Sequence, residues 1–131
     1  MERDLEKFVG GPNKPAQSRM RVTLTKTNRL SFNRNTFRQI GKPLALYLYF
    51  SRVRDVIAIE PVHSLNFSAA FPVLEARGSH HYVNAAPFCR HFGISLDTTV
   101  RFISPELRDN KLELKLNETI SVAQVRRKRK Q

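Results

Sequence analysis

The chain has 131 residues, 40% of them hydrophobic, and carries 23 Lys or Arg against 11 Asp or Glu, for a net charge of +12. That length suits one domain, or two small ones sharing a core. No apolar run approaches the ~20 residues of a membrane-spanning helix. The opening Met1-Glu-Arg-Asp-Leu-Glu-Lys7 lacks the apolar core of a secretion signal, and the lone Cys89 excludes an internal disulfide or a cysteine-based zinc finger. The expectation is a cytoplasmic protein.

Residues 1–18 read as a flexible leader, with Gly10, Gly11, Pro12 and Pro15 breaking any regular element. A first unit over 19–61 follows. Met20, Val22 and Leu24 alternate with Arg21, Thr23 and Thr25, the pattern of a half-buried strand with a polar, basic open face. Lys26-Thr-Asn28 is a turn, and Arg29–Phe32 resumes the alternation. Asn33 is a good helix N-cap, and the helix runs from Arg34 to Ile40 until Gly41 and Pro43 end it. Two turns are unstable alone, so Phe37 and Ile40 are expected to dock this helix. Leu44–Phe50 and Val56–Glu60 form a hairpin around Ser51–Asp55, closed by Pro61.

A second unit over 62–117 repeats the order. Phe71–Ala76 is a strand, with Pro72 pointing to an edge position. Gly78-Ser79 turns, and His80–Val83 is a strand whose two histidines face opposite ways. Asn84 is expected to cap a helix over Ala85–Phe92, ended by Gly93 and anchored by Phe88 and Phe92. Thr98–Ile103 and Lys111–Leu116 form a last strand pair around Pro105–Asn110. The parallel between Asn33, Phe37, Gly41 and Asn84, Phe88, Gly93 suggests a degenerate duplication of about 45 residues. Residues 118–131 are a basic tail ending in Arg126-Arg-Lys-Arg-Lys130. This block is either an arm on phosphates or a solvated end.

Charge is concentrated in the first unit. Between Glu6 and Asp55 there is no acidic residue, yet eleven basic ones stand there, whereas residues 62–125 are close to balanced. A folded surface of one sign attracts polyphosphates, because neutralising phosphates releases condensed counterions. Arg21, Lys26 and Arg34 are candidate phosphate contacts on this ground. The simpler alternative is a surface kept soluble by its charge. His63, His80, His81 and His91 show no metal-ligand spacing, no pair of carboxylates is placed for acid–base work, and no phosphate-binding glycine loop is present. No metal, cofactor or enzymatic activity is expected. Cys89 reads as a core residue. Tyr47 and Tyr49 read as packing residues ahead of base-stacking ones.

The stretch Asn28-Arg-Leu-Ser-Phe-Asn33, its two-turn helix ending at Gly41 and the hairpin after it resemble the swapped-hairpin domain of AbrB-type transition-state regulators. Two copies in one chain are similar to the double-domain MraZ relatives. Asn28 stands where the family has the turn Gly, and Asn33 where it has Pro. The resemblance implies that Arg29 and Arg38 contact DNA. It also implies interleaved hairpins closing a swapped-hairpin-like β-barrel, as a homodimer or as a pseudo-dimer within one chain. The resulting expectation is a mainly β (α+β) protein of two related ββαββ units with short helices. Its expected partner is duplex DNA, bound as a transcriptional regulator or antitoxin-like protein. The rival readings are an assembly module docking an acidic protein and an RNA-binding accessory protein.

Overall fold

A computed structural model describes residues 19–122. In chain order the elements are β1 (Val22–Leu24), β2 (Arg29–Phe32), α1 (Arg34–Gln39), β3 (Ala45–Ser51), β4 (Val56–Val62), β5 (Phe71–Pro72), β6 (Leu74–Glu75), β7 (His81–Asn84), α2 (Ala86–Phe92), β8 (Val100–Phe102), β9 (Glu106–Arg108), β10 (Lys111–Lys115) and β11 (Thr119–Ser121). The protein is mainly β, with two sheets and few short helices. The leader and the Arg126–Lys130 block lie outside the described residues.

The six-stranded sheet has the order β11-β8-β1-β2-β7-β6, and the five-stranded sheet β5-β3-β4-β10-β9. Both halves of the chain contribute to each. β2 pairs antiparallel with β7, Leu30 opposite Val83. β4 pairs antiparallel with β10, Ile59 opposite Leu112. One face of each sheet turns inward, and a single apolar cluster fills the space between. Val22, Leu24, Leu30, Phe32, Val83 and Phe102 come from the larger sheet, and Leu46, Ile57, Ile59, Leu112 and Leu114 from the smaller. All eleven are nearly inaccessible to water. At roughly 1.5–3 kcal/mol per fully buried aliphatic or aromatic side chain, this shared core is the main force holding the sheets together.

Turn chemistry explains the local chain path. Asn28 adopts φ 71° at the β1–β2 turn, a left-handed conformation that asparagine tolerates better than most residues. Asn33 caps α1, its side-chain oxygen accepting from Thr36 N–H at 3.0 Å. The same oxygen accepts from the Thr36 hydroxyl at 2.6 Å and from Arg21 N–H at 3.2 Å, while its amide donates to the Arg19 carbonyl at 2.7 Å. One side chain thus ties the helix start to the run-in of β1. Gly41 at φ 92° and Gly93 at φ 70° end the two helices in the left-handed conformation.

Several expectations are corrected. Asn84 is the last residue of β7 and caps nothing; Ala85 occupies the N-cap of α2 without a side-chain bond. The reason is register: Asn84 pairs with Arg29, and Ala85 N–H donates to the Asn28 carbonyl at 2.8 Å, so the ladder holds Asn84 in extended backbone. Pro61 does not close β4, which continues to Val62. β10 pairs with β4 only as far as Ile59, so Pro61 lies where one flank of the strand has no neighbour. Phe71–Ala76 is not one strand: Pro72 and Val73 bend the chain, so β5 joins the small sheet and β6 the large one. β8 and β10 are not partners. β8 pairs with β1 and β11, and β10 with β4 and β9. Ile40 and Phe88 are buried as expected, whereas Phe37 and Phe92 are half-buried.

Candidate nucleic-acid interface

The outer face of the six-stranded sheet follows from strand alternation. With Val22, Leu24, Leu30, Phe32, Val83, Val100 and Phe102 inward, the residues between them point outward. Register aligns them in one row across all six strands: Ile120, Arg101, Thr23, Ser31, Tyr82 and Leu74. Arg21, two residues before Thr23, and Arg29, two before Ser31, flank the row on opposite sides. They stand about 14 Å apart along the strands, four residues at ~3.4 Å each. The Arg29 guanidinium lies over the Tyr82 ring, 3.9 Å from its centroid. Lys26 is exposed in the turn beside Arg29.

Among the outward strand positions of this face there is no carboxylate; Glu118 belongs to the turn before β11. The outer face of the five-stranded sheet is different. Glu60, Glu106 and Glu113 stand there among Lys111, Lys115 and Arg108. Its charges are used internally. Arg54 meets the buried Glu113 at 3.5 Å, and Arg108 and Lys115 each approach Glu106 at 4.0 Å. The Tyr49 hydroxyl donates to Glu60, and this bond, more than burial, raises the phenol's pKa. Tyr47 and Tyr49 therefore belong to the charge-balanced side of the molecule.

The five basic residues nominated from the sequence fall into two groups. Arg21 and Arg29 share the open face, with Lys26 at its end. Arg34 and Arg38 ride instead on α1, which covers the core side of the same sheet: its Phe37 stacks on His81 at 3.7 Å, and His81 shares the inward face with Phe32. The resemblance's Arg29 and Arg38 are thus split between a strand and a helix. Arg101 was missed. The alternation Val100-Arg101-Phe102 marks it as outward, but nothing local says that β8 lies beside β1, where Arg101 meets Thr23.

The histidines divide as their spacing predicts. His80 lines a small depression with Arg21, Thr23, Ser31 and Asn33 on the open face, while His81 turns inward. Burial lowers the His81 pKa and exceeds the opposing pull of Glu75, with His80 lowering it further; its Nδ1 is buried without a hydrogen-bond partner. Cys89 is buried, which pushes its thiol pKa up and makes it a poor nucleophile. Among the described residues no three His, Cys, Asp or Glu gather where a metal could bind, and no helix is long and apolar enough to cross a membrane.

No protein-family model, curated protein or solved structure matches this chain.

Proposed function

We propose that this protein binds duplex DNA through the open face of its six-stranded sheet, as a transcriptional regulator or antitoxin-like DNA-binding protein. The carrying observation is the charge asymmetry between the two outer faces. One presents Arg21, Arg29 and Arg101 with no carboxylate among its outward strand positions, while the other balances its acids and bases. Guanidinium groups without acidic neighbours are available to phosphates, and the field of such a face steers a polyanion towards it. Thr23, Thr25 and Ser31 add hydroxyls of the kind that bond phosphate oxygens. Lys26 extends the basic surface at the β1–β2 turn, whereas Arg34 and Arg38 lie on α1, off this face.

The interleaving of the two halves supports the AbrB-type reading. Each sheet pairs strands of 19–61 with strands of 62–117, as expected of a pseudo-dimer within one chain. β5–β6 and β8–β9 pass from one sheet to the other, which is how a swapped-hairpin barrel would turn its corners. The resemblance supplies the regulator reading, and the face supplies the chemistry.

The test is titration of a random-sequence duplex at several salt concentrations. Each phosphate neutralised contributes a log–log slope of about −0.9 on duplex and about −0.7 on single strands. Three to five contacts predict a duplex slope of roughly −3 to −4.5. Tighter binding to a single strand of equal length would favour the RNA-accessory alternative, for which the exposed Arg29 over the half-buried Tyr82 is the relevant feature. Binding to an acidic polypeptide but not to the duplex would favour the assembly module.

A further inference from the structure

At one edge of the open face, beside β11, lies a cleft of about 350 Å³ whose lining includes Met20, Arg21, Arg101, Ile103 and Ile120. Two of its walls are apolar side chains in water: Ile103 is 56% and Ile120 41% exposed. Arg101 and Ile120 are directly opposed across the β8–β11 ladder, and Ile103, two residues after Arg101, shares their side. This edge is the outermost antiparallel pair of the six-stranded sheet, with β11 free on its outer flank and one arginine and two isoleucines pointing away from the core.

Resting on the DNA reading above, we propose that the β8–β11 ribbon is the base-reading element of the face, with Ile103 and Ile120 contacting thymine 5-methyl groups in the major groove. Three features combine to select this occupant. The major groove admits two strands, the free β11 edge makes this pair the part of the sheet that can enter it, and thymine presents there the one apolar group on the base edges. The flanking Arg21 and Arg101 supply charge complementarity to phosphates, and Arg101 is also the residue type that bonds guanine O6 and N7. Of the other outward residues, Ser31 and Arg29 suit the backbone, Tyr82 lies under the Arg29 guanidinium, and Leu74, at the far edge, is less exposed than either isoleucine. The ribbon therefore reads thymine while the rest of the face positions the duplex.

The experiment uses one random 30-base-pair pool synthesised either with thymidine or with deoxyuridine, so that charge and sequence are the same. DNA is in excess, and the best sites fill first. Burial of a methyl group is worth roughly fourfold in affinity, so the deoxyuridine pool should bind about four- to fifteenfold more weakly. The Ile103→Ser, Ile120→Ser double variant should bind both pools alike, near the wild-type affinity for deoxyuridine. Equal wild-type binding to the two pools would overturn thymine reading and leave DNA binding standing. Failure to bind either pool would overturn the DNA reading itself, and this inference with it. A thymine preference that survives in the double variant would place the methyl contact elsewhere and also overturn the assignment.

Discussion

Asn33 and Asn84 look alike in sequence, each a short polar residue just before a short helix. Their positions differ in the structure, because only the Asn33 side chain bonds to the start of its own helix. Its oxygen satisfies Thr36 N–H, and its amide holds the Arg19 carbonyl. Asn33→Ala is expected to cost about 2 kcal/mol, the upper range for a lost cap, since a tertiary bond goes with it. Asn84→Ala should cost a few tenths at most, as for an ordinary exposed site. Urea denaturation of the two variants checks this; equal losses would restore Asn84 as a cap. His81 provides a pH test. Its folded pKa is lowered, so above the unfolded value near 6.5 the group costs nothing. As pH falls through that value, the unfolded chain takes up the proton first and stability drops. His81→Phe keeps a ring against Phe37 and should flatten the dependence of the melting midpoint between pH 7.5 and 5.5. An unchanged dependence would move its origin to other groups.

At the scale of elements, short helices act as plugs. α2 has no side-chain cap and is seven residues long, so it is held by what it buries. Phe88 and Cys89 face the core, while Phe92 lies partly open, with Phe50 at 5.2 Å and the Arg52 guanidinium 5.3 Å from its ring. Phe88→Ala should therefore cost about 3–5 kcal/mol, and Phe92→Ala clearly less, read from the same denaturation curves. The reverse order would mean that the helix is rotated from its assigned face. Elements with their own signals were legible in advance. The β1–β2 turn, the α1 cap, both terminating glycines and the unbroken alternation of Lys111–Leu116 depend on neighbours in sequence. Partners were not legible. That β8 joins β1, that β9 lies against β10, and that residues 71–75 divide between two sheets depend on contacts between distant segments. A three-residue strand such as Thr119–Ser121 leaves almost no periodic trace.

Across the whole molecule, charge and fold were legible to different degrees. The acid-free interval places Arg21 just before β1 and Arg29 in β2, and the period-two pattern says which residues of these strands point outward. It does not say what lies beside them. The charge-balanced second half supplies Arg101 and Tyr82 to the same face. A surface in an interleaved fold belongs to no single segment, so a count of charges by sequence interval assigns Arg101 to the wrong side.

The central claim is most directly tested by charge reversal on the two faces. Arg21→Glu, Arg29→Glu and Arg101→Glu together change the net charge by six units, as do Arg108→Glu, Lys111→Glu and Lys115→Glu on the other sheet. Affinity for one random duplex at fixed salt is then compared by fluorescence anisotropy, with melting curves confirming that both variants fold. The first triple should lose at least a hundredfold in affinity and the second less than about fivefold, since surface charges away from the contact act only through a screened field. Equal losses from the two triples would mean that the charge works as a diffuse cloud, and would contradict a DNA-binding site on the open face.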